Sequence, residues 1–234
     1  MNVTIIVPSL DPDEKLNLVV EGLLREGFDD IVLVNDGSHP DHLAPFETAA
    51  EHPEVTVLTH EVNKGKGRAM KTAFAWCLEH RPDIDGVVTV DGDNQHKPHD
   101  VRRCAEAMVA HPEKVWLGVR DFYQKDVPFR SRLGNTLTRN VVRLFCGVSV
   151  TDTQTGLRAI ARRHLPLMCR VEGERYEYET EMLPALHEAG VGIDEVFIDT
   201  VYIDENQTSH FHPLKDSMKI YKVILRRSLR KRKR

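Results

Sequence analysis

Three short polar clusters hold most of the residues in this sequence whose types and spacing could do chemistry. Asp91-Gly92-Asp93 sets two carboxylates on either side of a small residue that lets the backbone turn tightly. Oxygen ligands of this kind suit Mg2+ or Mn2+, and Mg2+ typically takes one or two carboxylates together with substrate phosphates. Such a pair also occurs in solvated turns. Its place at the end of a strand-like run, with Gln95 close behind, favours the metal. Asn63-Lys64-Gly65-Lys66-Gly67-Arg68 puts cations and glycines ahead of a helical pattern, which favours a phosphate at a helix amino terminus. Asp36, in Asn35-Asp36-Gly37-Ser38, could accept hydrogen bonds from a base or ribose, or equally could cap a helix or shape a turn.

The elements that must position these clusters alternate. Val3–Val7, Ile31–Val34, Val55–Leu58 and Gly86–Val90 are short, β-branched runs that read as strands. Glu14–Glu26, Pro40–Glu51 and Gly67–Glu79 read as helices between them. This alternation predicts a Rossmann-like α/β fold, with a mostly parallel sheet and helices on both faces. Ligands of such sheets bind beyond the carboxyl ends of the strands, which is where the polar clusters fall. The second half is less regular. Arg130–Phe145 and Tyr178–Ala189 read as helices, Ile193–Ile203 as a strand, and Leu214–Leu229 as an amphipathic helix. The acidic residues of Tyr176–Glu181 read as an exposed first helical turn, favoured by the helix dipole, and Trp76 and Trp116 as core.

Composition narrows the function. The chain has 234 residues, 41% of them hydrophobic, and no linker-like stretch divides it. Its four cysteines form no CxxC pair, which argues against a zinc site or disulfide framework and for a reducing cytoplasm. Neither a signal peptide nor a run of roughly 20 apolar residues is visible. Seven of the nine residues Arg226–Arg234 are basic; without them 25 basic residues face 36 acidic ones, so a broad nucleic-acid surface is excluded. Neither a Walker loop nor a Rossmann GxGxxG is present, which argues against a nicotinamide enzyme. No serine or cysteine has a nearby His/Asp arrangement for nucleophilic hydrolysis.

The ordered blocks PSLDPDEKL, VLVNDGS, NKGKGRA, VDGDNQHKP, VRDF, RSRLGN and TDTQTGLRA resemble the family 2 glycosyltransferases, in particular the dolichyl- or polyprenyl-phosphate sugar synthases. The resemblance spans residues 3 to about 210. It implies a GT-A fold, with Pro8, Leu10, Asp36 and Lys66 lining a nucleotide pocket. It implies that Asp91, Asp93 and Gln95 reach the metal and the donor diphosphate, with Gly92 between them on the donor side. Arg120 and Arg132 match arginines that act on acceptor and donor phosphates, Asp152 an active-site aspartate, and His210 a basic residue on a closing loop. The family's first block usually reads P-x-Y-N-E; here Leu10 and Pro12 take the aromatic and acidic positions, and Glu14 is the candidate substitute.

The expected reaction is therefore metal-dependent, inverting transfer of a hexosyl group from a UDP- or GDP-sugar to a polyprenyl or dolichyl phosphate. Asp152, Arg132 and Asp93 are its candidate catalytic residues. Three other readings stay open: a transferase of the same fold acting on a sugar or glycan hydroxyl, a nucleotidyltransferase, and a non-enzymatic membrane-associated binding protein. Residues 1–212 would form the transferase domain and 213–234 an amphipathic helix with a basic tail. That tail suits an anionic membrane surface or a membrane-anchoring partner, and a peripheral location on the cytoplasmic face.

Overall fold

The computed structural model describes residues 1–121, 135–136, 139–140, 142–144 and 147–199. In chain order the elements are β1 (Val3–Ser9), α1 (Lys15–Arg25), β2 (Ile31–Asn35), α2 (Ala44–Ala49), β3 (Val55–Thr59), α3 (Lys66–His80), β4 (Gly86–Thr89) and α4 (Pro98–Ala110). They continue with β5 (Lys114–Arg120), β6 (Arg158–Ala161), α5 (Glu177–Glu188) and β7 (Gly192–Ile198). Short helical turns occupy Pro40–His42 and Arg162–Met168.

The strands form one sheet in the order β3-β2-β1-β4-β6-β5-β7. β3, β2, β1 and β4 run parallel; β6 is antiparallel to both β4 and β5, and β7 is parallel to β5. The mostly parallel sheet expected from the sequence is therefore present. From β1 the chain winds outward through β2 and β3, then crosses back to β4 on the other side of β1. Such a reversal opens a crevice at the carboxyl ends of the strands beside it, β1 and β4, where Ser9 and Asp91 stand.

The first strands read as unbroken apolar runs because both faces are covered. Ile5, Val7, Ile31 and Leu33 pack with Leu16, Val20 and Leu23 of α1 and with Val101 and Cys104 of α4. Ile6, Val32 and Val34 turn to the opposite face, against Met70, Ala73 and Phe74 of α3 and Tyr178 and Met182 of α5. Burying a side chain of this size stabilises the fold by roughly 1.5–3 kcal/mol.

Several elements depart from the sequence reading. The expected helix over Pro40–Glu51 is split, because Pro40 and Pro45 each stand in the first turn of a separate short segment. β5, β6 and α4 had no counterpart in the pattern. β6 has four residues and includes Arg158, only 1% exposed, whose side chain breaks the apolar signature of a strand. Its guanidinium is accommodated by the carbonyl oxygens of Thr155 (3.1 Å) and Glu179 (2.6 Å). Trp76 and Trp116 pack at the margins of the two cores rather than within them. The described residues among 135–144 are helical, as expected for Arg130–Phe145. Arg132, His210, the segment Leu214–Leu229 and the basic tail lie outside the described residues.

Candidate active site

The carboxyl ends of β1, β2 and β4 border a cleft of about 550 Å3, lined among others by Pro8, Leu10, Asp36, Lys66, Asp91, Gly92 and Asp93. Seven residues chosen from four separate stretches of the sequence thus meet in one place. Glu14 does not join them; it is exposed and immediately precedes α1, whose amino-terminal turn is instead bonded by Asp13. Gln95, Arg120 and Asp152 also stand outside the lining.

Lys66 is the first residue of α3, and its ammonium donates to Asp91 Oδ1 (2.7 Å) and Glu179 Oε1 (2.9 Å). Burial works against its charge, but the two carboxylates more than offset this and hold the Lys66 pKa above its ordinary value. Burial likewise opposes ionisation of Asp91, yet Lys66 and His96 keep that carboxyl well below the usual range. The His96 ring nitrogen stands 3.5 Å from Asp91 Oδ2, the outer limit of a hydrogen bond. Asp93 behaves oppositely: burial first, and the neighbouring Asp91 second, raise its pKa. Its Oδ1 accepts a backbone bond from Gln95 N at 3.1 Å.

This donor set fits a divalent cation. Lys66 bridges the carboxylates of Asp91 and Glu179, whereas among the described residues no Lys, Arg or His forms an ion pair with Asp93. A second positive charge beside Asp93 would relieve the repulsion that raises its pKa. Space is kept clear as well: a Cβ added to Gly156 would stand 2.3 Å from Asp91 Oδ2, so only glycine fits against that carboxylate.

Another group of His99, Asp100 and Asp199 brings three potential ligand atoms together. Arg103 already pairs with Asp100 (2.9 Å) and Lys97 with Asp199 (2.9 Å), and none of the three residues lines the cleft.

Asp152 is fully buried, and Arg120 grips it through two bonds, from Nε (2.8 Å) and Nη2 (3.3 Å). Asp152 Oδ1 also accepts from Gln154 N at 3.0 Å. A carboxylate so committed orients an arginine; it is poorly placed to collect a proton from the cleft.

The sequence reading of Tyr176–Glu181 needs correction. Glu179 and Glu181 are 9% and 5% exposed, and Glu179 is a partner of Lys66. The whole 174–179 segment braces the Lys66 loop. Arg68 N donates to Glu174 O (2.9 Å), the Arg68 and Lys71 side chains reach the Glu174 carboxylate, and Arg175 reaches Asn63. Gly67 permits the approach, since a Cβ there would lie 2.5 Å from Tyr178 Cβ. The usable signal was periodicity: Tyr178, Glu179, Met182, Leu183 and Leu186 form one buried helical stripe with an acid inside it. His60 was missed too. It follows β3 as Asp36 follows β2, and the strand-end rule applies to both.

Comparison with known proteins adds to this geometry. Residues 4–165 match the family model described as glycosyl transferase family 2. The chain is 28% identical over 219 residues to a UDP-N-acetylglucosamine–dolichyl-phosphate N-acetylglucosaminyltransferase of Methanococcus voltae, covering 86% of each. It is also 28% identical over 215 residues to an undecaprenyl-phosphate mannosyltransferase of Micrococcus luteus, covering 86% of this chain and 84% of that one. Among solved structures, glucosyl-3-phosphoglycerate synthase from Mycobacterium tuberculosis, in complex with Mn2+, UDP and glucosyl-3-phosphoglycerate, aligns with a TM-score of 0.70 at 14% identity. The alignment covers 97% of this chain and 80% of that one, a likeness of fold.

Proposed function

Because this chain belongs to glycosyl transferase family 2, and is a glycosyltransferase of GT-A fold, we propose that it moves a hexosyl group from a UDP- or GDP-sugar to a polyprenyl or dolichyl phosphate, with inversion. The observation that carries this reading is the meeting of Asp36, Lys66, Asp91 and Asp93 around one strand-end cleft. Relatives named as lipid-phosphate sugar transferases, aligned over most of their length, support the acceptor class.

In this reading Asp36 and Pro8 hold the nucleoside and Lys66 the diphosphate. Asp91, Asp93 and Gln95 would hold Mg2+ or Mn2+, which supplies Lewis-acid neutralisation of the departing diphosphate. A phosphate oxygen of the acceptor forms the new bond to the anomeric carbon as the bond to the nucleoside diphosphate breaks. That oxygen is already anionic near neutral pH, so no strong base is required. The buried, doubly bonded Asp152 is consistent with this, since its part is to aim Arg120. A sugar hydroxyl acceptor would need Asp152 free to take a proton, and its bonding argues against that alternative.

Arg132 is assigned to the acceptor phosphate. Replacing it by alanine is expected to raise the acceptor KM roughly tenfold to a hundredfold, the worth of a charge-assisted hydrogen bond. Donor affinity measured by calorimetry without acceptor should stay within a factor of about two. An equal loss of donor affinity would move Arg132 to the donor side. His210 would contribute from the donor side.

Residues 213–234 are assigned to membrane contact. Leu214, Met218, Tyr221 and Leu225 recur at helical spacing beside Lys215, Lys219 and Lys222, ahead of the basic tail. A Lys or Arg near an anionic surface contributes about 1 kcal/mol, enough in sum to hold the domain beside a lipid acceptor. The full chain should sediment with vesicles containing acidic lipid, less so at high salt, and a chain ending at Leu225 should not. Equal sedimentation of both forms would remove the tail from the account.

A further inference from the structure

His60 sits behind the cleft and is 7% exposed. Its backbone N–H is bonded to Asn35 O (2.9 Å), which ties the end of β3 to the end of β2. Its Nδ1 lies 2.6 Å from Asp36 Oδ1, and its Nε2 lies 2.9 Å from Thr72 Oγ1 on α3. In the neutral ring these bonds fix one tautomer: Nδ1–H donates to Asp36, and Nε2 accepts from the threonine hydroxyl. Asp36, itself 3% exposed, also accepts from Lys64 N (3.0 Å, to Oδ1) and Gly65 N (2.7 Å, to Oδ2).

Each carboxylate oxygen has two acceptor positions. His60 and Lys64 fill both on Oδ1, while Gly65 fills one on Oδ2, so among the described residues one acceptor position of Oδ2 remains. Asp36 lines the cleft, where it can offer that position to a ligand. A carboxylate held from three sides can accept from a donor at one location and cannot follow a donor displaced by an atom or two. Uracil and guanine carry a ring N–H on their pairing edge. Cytosine and adenine carry a ring nitrogen lone pair there and place their amine to one side.

We propose that His60 is a positioning residue that sets the base selectivity of the donor site, by denying Asp36 the movement needed to reach an exocyclic amine. This rests on the reading of the cleft as a nucleoside diphosphate site. The role differs from that of a packing histidine, because loss of His60 relaxes selectivity rather than lowering all affinities together.

The test is calorimetric binding of UDP, GDP, CDP and ADP, with Mn2+, to the wild type, His60→Asn and His60→Leu. The wild type should bind UDP or GDP at least about tenfold more tightly than CDP and ADP, the ratio one well-placed hydrogen bond provides. His60→Leu should bring that ratio to within about threefold of unity while CDP and ADP still bind, since the phosphate contacts are intact. His60→Asn, whose amide nitrogen takes the place of Nδ1, should keep the preference. If His60→Leu does not fold, Thr72→Val removes the far partner of the ring and should lower the ratio in the same direction. An unchanged ratio in the folded His60→Leu or Thr72→Val protein overturns the proposal, as does equal loss in the asparagine variant. Wild-type protein that binds none of the four nucleotides overturns the nucleotide site itself, a separate failure.

Discussion

Asp93→Asn should leave a folded protein that transfers sugar at least a hundred times more slowly than the wild type. The scale follows from losing a group that stabilises charge developing in the transition state, worth roughly 100- to 1,000-fold in turnover. The fold should survive because the amide has the same shape and its oxygen can still accept from Gln95 N. Stability should hold or rise. The Asp93 carboxyl is raised by burial and by Asp91, so its charge opposes folding, and a neutral amide removes that opposition. Thermal unfolding and steady-state turnover on the same preparation check both halves. Turnover within threefold of wild type would remove Asp93 from the metal site.

Lys66→Met should give the second large effect, and it should appear in stability as well as in donor binding. Lys66 is the shared cation of Asp91 and Glu179, and all three side chains are largely shielded from water. Removing it leaves two close carboxylates without their partner, a loss of about 3 kcal/mol. Adding Glu179→Gln to the methionine variant removes one of the stranded charges and should restore part of that stability. Glu179→Gln in the wild-type background should instead destabilise, because it deprives Lys66 of a partner. Denaturant unfolding of the four proteins forms a double-mutant cycle, and a change of sign for Glu179→Gln between the backgrounds is the expected result. Strictly additive effects would mean that the pair seen at 2.9 Å contributes no coupling.

Much of this site was legible in the sequence because its parts stand at strand ends. Asp36 and Asp91 follow runs of β-branched residues, and a parallel sheet brings such ends together whatever the loops contain. Lys66 was legible for a similar reason, as a cation beside glycines at the start of a helix. What could not be read was pairing. Glu179 lies 113 residues from Lys66, and an acid in a first helical turn ordinarily faces water. Arg120 and Asp152 were each assigned to the site, yet nothing in their spacing shows that the arginine occupies the aspartate's oxygens. β6 escaped because Arg158, a residue that usually argues for exposure, is buried in it with its guanidinium on the carbonyls of Thr155 and Glu179. Glu14 shows the reverse error. An acid close to the first strand end in sequence faces solvent, while Asp11 and Asp13 line the cleft.

A divalent cation at this cleft is proposed to support sugar transfer to a lipid phosphate. The most direct measurement is nucleoside diphosphate release from a panel of UDP- and GDP-sugars, with polyprenyl phosphate, with polyprenol lacking the phosphate, and with excess EDTA. At least one donor is expected to release its nucleotide only when lipid phosphate and metal are both present, yielding the glycosylated lipid phosphate. Undiminished release in EDTA, or equal transfer to the unphosphorylated lipid, would contradict it.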